Sequence, residues 1–200
     1  MLKVGLAASA AVVLFASASA VATPLNLILG TPDISSFFVA SAYNATTDVL
    51  TSGGIAATYD LDGVAPPDFS ITGGGFNLVA NISSSGALLP GGSFTITGSI
   101  AGLGAATPLL VGTPTAFGFN NSPISQIFEF RIALTGGSLA GAFPGEVGII
   151  MNMGSGFGGS FNTNFANNGS GVSDTARIVP APLSAAVLGF GLLAANRRRR

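Results

Sequence analysis

Three aspartates in a short stretch are the residues of this chain best suited to hold a metal ion. Asp60 and Asp62 alternate in Asp60-Leu61-Asp62-Gly63, and Asp68 follows six residues after Asp62. Alternating carboxylates around a turn can converge on a hard cation such as calcium through oxygen ligands. The alternative interpretation is an Asp-Gly turn after a strand, in which aspartate caps the backbone and glycine takes a positive φ. The sequence leaves both interpretations open.

The residue types needed for most catalytic sites are missing from the chain. It contains no histidine and no cysteine, which excludes Ser-His-Asp and Cys-His arrangements and the usual zinc, haem and iron–sulfur sites. Glu129 and Glu146 are the only glutamates, and a glycosidase would have to use them as its carboxylate pair. Glu129 next to Arg131 on one strand face more simply predicts an exposed same-face or cross-strand ion pair. We therefore expect that the protein is not an enzyme and carries no cofactor.

The elements that would position these residues are strands, because apolar side chains recur with a period of two. The alternation is clearest where Phe128, Phe130 and Ile132 alternate with Glu129 and Arg131. The same pattern occurs in 76–82 and in 94–97, and turn signals separate the segments at 53–54, 66–67, 73–75, 90–92, 136–137 and 144–145. The sequence predicts an all-β fold, a single antiparallel β-sandwich or barrel-like domain.

This all-β domain is predicted over residues 23–172. Further strands are expected at 25–29, 37–43, 55–61, 109–119 and 147–151, and Asp48 to Thr51 is expected to form a hairpin with the strand before it. The Gly-, Asn- and Ser-rich stretch from Gly154 to Gly171 predicts a long surface loop. Residues 173–178 are expected to form a linker between the domain and the C-terminal segment.

The N-terminal 22 residues have the pattern of a secretory signal peptide. Lys3 supplies a positive charge, Val4 to Phe15 form an apolar segment, and small residues follow, with Ala20 and Ala22 as the candidate cleavage positions. An apolar segment of about 12 residues is too short to span a membrane. We therefore expect a signal helix over 1–22, export through the Sec machinery, and a domain that lies outside the cytoplasm.

The last 22 residues form a second signal with three parts in order. They contain a proline motif, an apolar segment from Leu183 to Ala195, and a basic end, and the motif and basic residues are Val179, Pro180, Ala181, Pro182, Arg197, Arg198, Arg199 and Arg200. The apolar segment predicts a short transmembrane helix of about 21 Å, which flanking residues and arginine stems can extend towards the 30 Å of a bilayer core. The arginines are expected to stay on the cytoplasmic side.

This C-terminal segment resembles the sorting signal of PEP-CTERM proteins. The family pattern is Val-Pro-Glu-Pro, a hydrophobic helix and a closing run of arginines; Val179, Pro180 and Pro182 match it, and Ala181 replaces the glutamate. The resemblance implies that an exosortase, a membrane protease, cuts near the motif and passes the body outward. It also implies an inner-membrane intermediate, a final location at the cell surface or outside the cell, and an association with exopolysaccharide and biofilm.

The charge of the body differs from that of the whole chain. Without the two terminal segments only Arg131 and Arg177 oppose eight acidic residues, so the body carries a net charge of −6 rather than −1. Such a body cannot neutralise a row of phosphates, which excludes nucleic acid as a partner. We expect an exported, non-enzymatic matrix protein; the alternative is a secreted carbohydrate- or calcium-binding β-sandwich module.

Overall fold

The computed structural model describes residues 23–122 and 125–180, which fold as an all-β, antiparallel barrel. The described part contains ten strands and two short 3₁₀ turns. The strands are β1 (Leu29–Asn44), β2 (Val49–Asp60), β3 (Phe69–Ser70), β4 (Thr72–Asn81), β5 (Ser93–Ser99), β6 (Leu110–Ser122), β7 (Ser125–Gly136), β8 (Glu146–Asn152), β9 (Phe165–Ala166) and β10 (Gly171–Ile178). The all-β prediction is confirmed. The predicted terminal helices fall on 1–22 and 181–200, which lie outside the described residues.

The eight longer strands close on themselves in the order β1-β2-β4-β5-β6-β7-β8-β10, after which β10 pairs with β1. Each strand therefore lies beside its neighbour in sequence, and only the first and last strands pair over a long separation. The short strands β3 and β9 pair with β2 and β1 beyond the ends of their longer neighbours. Of the two predicted architectures, the described residues form the barrel. Because this sheet is closed, none of its eight longer strands lies at an open sheet edge.

The core lies in the interior of the barrel and consists of the side chains that the period-two alternation predicts to face inward. Phe128, Phe130 and Ile132 on β7 are completely buried, as are Phe94 and Ile96 on β5. On β4 the buried residues are again alternate ones. The period-two prediction is confirmed for these strands, because one face of each strand packs inside a closed sheet.

Residues 173–178, predicted as a linker, belong to the last barrel strand. Ser173 and Thr175 point into the interior and are buried, whereas Asp174 is exposed. The prediction was wrong because β10 faces the interior with hydroxyl groups instead of large apolar side chains. The buried hydroxyls of Ser36, Ser173 and Thr175 have no hydrogen-bond partner within the described part of the chain. These small polar residues hide the strand from a search for apolar alternation.

The stretch from Gly154 to Gly171, predicted as a surface loop, closes one end of the barrel. Phe157 and Phe161 from this stretch are 2% and 1% exposed, and they pack with Phe165 against aromatic residues of the barrel wall. We call residues 154–170 the aromatic plug. Gln126 on β7 holds it, since its amide donates to the Phe157 carbonyl at 2.6 Å and accepts from the Phe157 N–H at 3.1 Å. Glycine-rich composition concealed three phenylalanines that complete the core.

Two smaller predictions have opposite outcomes. The hairpin is confirmed, since Leu50 at the start of β2 pairs with Tyr43 near the end of β1. The glycines at 53–54 and 73–75, predicted as turns, instead lie inside β2 and β4. They allow close approach: a Cβ at Gly54 would lie 2.9 Å from the Phe37 carbonyl oxygen at a bulge in β1.

The predicted strand over 25–29 is also wrong, because only Leu29 belongs to β1. Residues 23–28, here called the N-terminal strap, belong to no strand and lie on the outer face of the barrel, against Glu129. Among residues 23–122 and 125–180, no helix has the length and apolar character needed to cross a membrane.

Candidate functional site

The three aspartates singled out in the sequence come together in one loop at the end of the barrel opposite the aromatic plug. Asp60 is the last residue of β2, Asp68 directly precedes β3, and Asp62 lies in the connection between them. One carboxylate oxygen from each lies within 4.8 Å of the others. Asp60 is half-buried, and the other two are exposed. We call this group the acidic loop.

The backbone hydrogen bonds of the acidic loop are those expected of an Asp-Gly turn. The Asp60 Oδ1 accepts from the N–H groups of Asp62 and Gly63, at 3.1 and 2.8 Å, and Gly63 has a φ of 78°. The Asp62 Oδ1 accepts from Val64, and the Asp68 Oδ2 accepts from the Leu61 N–H at 2.7 Å. Among the described residues these bonds use one oxygen of each carboxylate. The turn therefore leaves a second oxygen on each aspartate that can bind a cation.

A fourth carboxylate lies beside the acidic loop. Asp33 on β1 lies opposite Asp60 on β2. Burial, with the nearby charges of Asp174 and Asp60, raises the pKa of Asp33 from 3.8 to about 6. Burial and the Asp68 carboxylate likewise raise the pKa of Tyr59. A cation near these residues would relieve the repulsion, because an opposite charge favours the ionised carboxylate.

The two glutamates do not form the pair that a glycosidase needs. Glu129 on β7 and Glu146 on β8 are separated by four residues along the sheet, since Glu146 pairs with Ala133. This separation is about 13 Å at 3.3 Å per residue. Glycosidase carboxylates lie closer than about 9.5 Å to each other in either class of mechanism. The strand geometry thus argues against that chemistry.

The environment of the Glu129 side chain differs from the one that the sequence predicts. No ion pair between Glu129 and Arg131 occurs among the described residues. Arg131 on β7 instead forms an exposed cross-strand ion pair with Glu146 on β8, with Nη1 and Oε1 3.8 Å apart. Glu129 is only 7% exposed, because the N-terminal strap covers it. Its two oxygens accept hydrogen bonds from the backbone N–H groups of Asn26 and Leu27, each at 3.0 Å. The alternation correctly placed Glu129 on the outer face, but no local pattern indicated that a distant segment lies over it.

The proposed sorting motif starts where the barrel ends. Val179 directly follows the last residue of β10, and its backbone N–H donates to the Ile28 carbonyl of the strap at 2.8 Å. Pro180 is exposed. The other predicted signal residues lie outside the described part of the chain: Ala20, Ala22, Ala181, Pro182, Arg197, Arg198, Arg199 and Arg200.

An apolar patch on the outer barrel surface is a further feature that the sequence did not indicate. Phe38 is 71% exposed with a φ of 55°, and Phe37, Ile55 and Val172 are also exposed. A bulge in β1 turns both phenylalanines outward. The flat aromatic faces and the neighbouring Asp174 carboxylate can contact a ligand that has both apolar and hydroxyl groups.

Together these features describe an eight-stranded antiparallel barrel with an acidic loop at one end and an aromatic plug at the other, whose last strand directly precedes Val179 and Pro180. Comparison of the chain with protein-family models, curated proteins and solved structures gives no match.

Proposed function

We propose that this chain is an exported, non-enzymatic protein of the cell surface or extracellular matrix, sorted and cut by an exosortase-like membrane protease. The Sec machinery would translocate it, and the inner membrane would hold it until cleavage. The observation that carries the proposal is where the fold begins and ends. The closed sheet begins with β1 at Leu29, seven residues after the candidate cleavage position at Ala22, and β10 ends at Ile178, directly before the motif.

This coincidence supports the proposal because both signals can be removed without cutting a strand. Every strand of the closed sheet lies within residues 29–178. A protease that acts near Val179 would therefore release an intact barrel with a net charge of −6. The exposed aromatic patch and polar residues at its edge support exopolysaccharide as the partner outside the cell, since sugars offer both apolar ring faces and hydroxyl groups.

Deleting residues 197–200 tests the sorting proposal. We expect the full chain to appear outside the cell in a form cut near the motif, and the deleted form to stay uncut in the membrane fraction, because the basic stop is part of the signal. Mass spectrometry of the fractions measures the cleavage position. Ala181→Glu is the matched control, which restores the family's residue and should still be processed. An unchanged mature mass and location after the deletion would contradict the proposal.

Calcium binding at the acidic loop is a second candidate function. It is favoured by the convergence of the Asp60, Asp62 and Asp68 oxygens within 4.8 Å, with one oxygen of each aspartate outside the turn's hydrogen bonds. Extracellular calcium sites have dissociation constants as weak as about 1 mM. This function is compatible with the first, because the loop lies at the barrel end and far along β2 from the aromatic plug.

If calcium binds the loop, 10 mM calcium should stabilise the full chain by about 1.4 kcal/mol for a dissociation constant of about 1 mM, which raises Tm by about 3–6 °C. Asp62→Asn should abolish this shift, whereas the matched variant Asp174→Asn, outside the cluster, should retain it. Carboxyl NMR gives a second measurement: bound calcium should lower the pKa of Asp33 from about 6, because its charge opposes that of Asp60. No thermal shift and an unchanged Asp33 titration would exclude the site.

A further inference from the structure

The outer wall of the barrel has a groove that fits an extended backbone. Glu129 on β7 lies at its centre and uses both carboxylate oxygens to accept from consecutive N–H groups of the N-terminal strap. Such charge-assisted hydrogen bonds are stronger than those between neutral groups. Asn26 has a φ of 53°, a conformation that lets two successive N–H groups face the same carboxylate.

Glycines on the neighbouring strands form the floor of this groove. Gly118 on β6 is the register partner of Glu129, and a Cβ there would lie 2.7 Å from the backbone nitrogen of Leu25. Gly148 on β8 lies on the other side, where a Cβ would come within 2.6 Å of the Leu29 Cδ2. A larger residue at Gly118 would push the strap away from the barrel, because it would meet the strap backbone, whereas at Gly148 it would meet only side-chain tips. The groove therefore depends on Glu129 and above all on Gly118.

The strap connects this groove to the start of the sorting motif. Leu27, the second residue held by Glu129, is followed by Ile28, whose carbonyl accepts from the Val179 N–H at 2.8 Å. This bond extends the pairing of β1 with β10 by one step beyond the Leu29–Ile178 pair. The end of the strap and the start of the sorting motif thus meet at one place on the barrel surface.

We propose that Glu129 is a positioning residue that controls access to the sorting motif by fastening the strap and, through Ile28, Val179. This inference rests on the proposed exosortase processing. Proteases commonly bind their substrates as extended strands, through the same backbone groups that pair in a sheet. While Ile28 holds Val179, that N–H group is occupied and the upstream side of the motif lies against the barrel. Releasing the strap makes the motif available.

We call the hydrogen bonds that join Glu129, the strap and Val179 the clamp. The first experiment measures the clamp in the absence of any sorting protease. Amide hydrogen exchange of the purified full chain is followed in peptides that cover 24–28 and 178–182. In Glu129→Ala, exchange in both peptides should be at least tenfold faster than in the natural chain. Glu146→Ala, which removes an exposed glutamate from the neighbouring strand, should leave both unchanged. Faster exchange at 24–28 with unchanged exchange at 178–182 would overturn the coupling.

A second variant covers the case in which Glu129→Ala does not fold. Gly118→Ala keeps the carboxylate and displaces the strap from the opposite side of the groove, so it should produce the same faster exchange in both peptides. If Gly118→Ala folds and leaves the Val179 peptide as protected as in the natural chain, the clamp is overturned.

The third measurement follows processing in cells that contain the sorting protease, as the fraction of chain cut after a fixed time. Releasing the clamp should at least double the initial rate of cutting, while Glu146→Ala should match the natural chain. Complete lack of cutting in the natural chain would refute the proposed function, and the exchange result would still decide whether the clamp exists. Another outcome is that the natural chain is cut normally while Glu129→Ala shows faster hydrogen exchange and the same rate of cutting. That result would overturn the inference that Glu129 controls access to the motif.

Discussion

Phe161→Ala is expected to lower the free energy of unfolding by about 3–5 kcal/mol, one of the two largest effects anticipated for a single substitution in this chain. Phe161 is 1% exposed and lies inside the aromatic plug. Its ring centroid is between 5.0 and 5.8 Å from those of six other rings, which belong to Tyr43, Phe117, Phe119, Phe128, Phe157 and Phe165. Truncation removes these contacts and leaves a cavity that a closed barrel cannot collapse.

Denaturant unfolding of the full chain measures this effect, which corresponds to a decrease in Tm of about 10 °C. Phe38→Ala is the matched control, because Phe38 is 71% exposed and its truncation should change the unfolding free energy by less than about 1 kcal/mol. If the two variants lost equal stability, residues 154–170 would be a surface loop and the plug would contribute nothing to the core.

The second large effect is expected for Asn167→Ala, at about 3 kcal/mol of lost stability. Asn167 is 3% exposed and satisfies its whole amide group. The Oδ1 accepts from the Ser41 N–H at 2.7 Å, and the Nδ2 donates to the carbonyls of Val39 and Met153, both at 3.1 Å. Alanine would leave three buried backbone groups without partners, at about 1–3 kcal/mol each before any relaxation.

Asn164→Ala is the control for this substitution, because Asn164 lies three residues earlier, is exposed and makes one hydrogen bond, to the Ala45 N–H. We expect that variant to lose less than about 1 kcal/mol. Asn167→Asp should lose at least as much stability as Asn167→Ala, since its buried carboxylate would face the carbonyls of Val39 and Met153 and could not donate to them. Thermal unfolding measures the stability that each of the three variants loses. Equal losses of stability in Asn164→Ala and Asn167→Ala would contradict the role of the buried amide.

The sequence predicts those parts of the fold that depend on residues close together in the chain. Phe128, Phe130 and Ile132 alternate because each strand has one face in the core, and a period of two is visible within a single segment. The loop at Pro66 and Pro67 and the hairpin between β1 and β2 follow from local turn chemistry. The three aspartates were found for the same reason, since their convergence needs only one turn of chain.

The remaining features depend on contacts between distant segments. Asn167 holds a bulge in β1 more than 120 residues away, and Glu129 holds Asn26 and Leu27 across about 100 residues. Neither asparagine nor glutamate differs locally from a solvated surface residue. Closure of β1 on β10 likewise decides between barrel and sandwich, and nothing in the sequence of either strand indicates its partner. Burial of polar residues by distant segments is therefore what a single sequence conceals.

In a chain exported as proposed above, the pairing of the first strand with the last would also set the order of events. Ile34 pairs with Thr175, so the sheet could not close until the chain had crossed the membrane almost to its end. Pairings of this kind form late, because a long loop must be ordered before they contribute. The barrel of an exported chain would thus complete its wall only as Val179 emerges. A truncated or stalled precursor would present open strand edges, whereas a full-length one would close its sheet at nearly the same moment as the motif emerges.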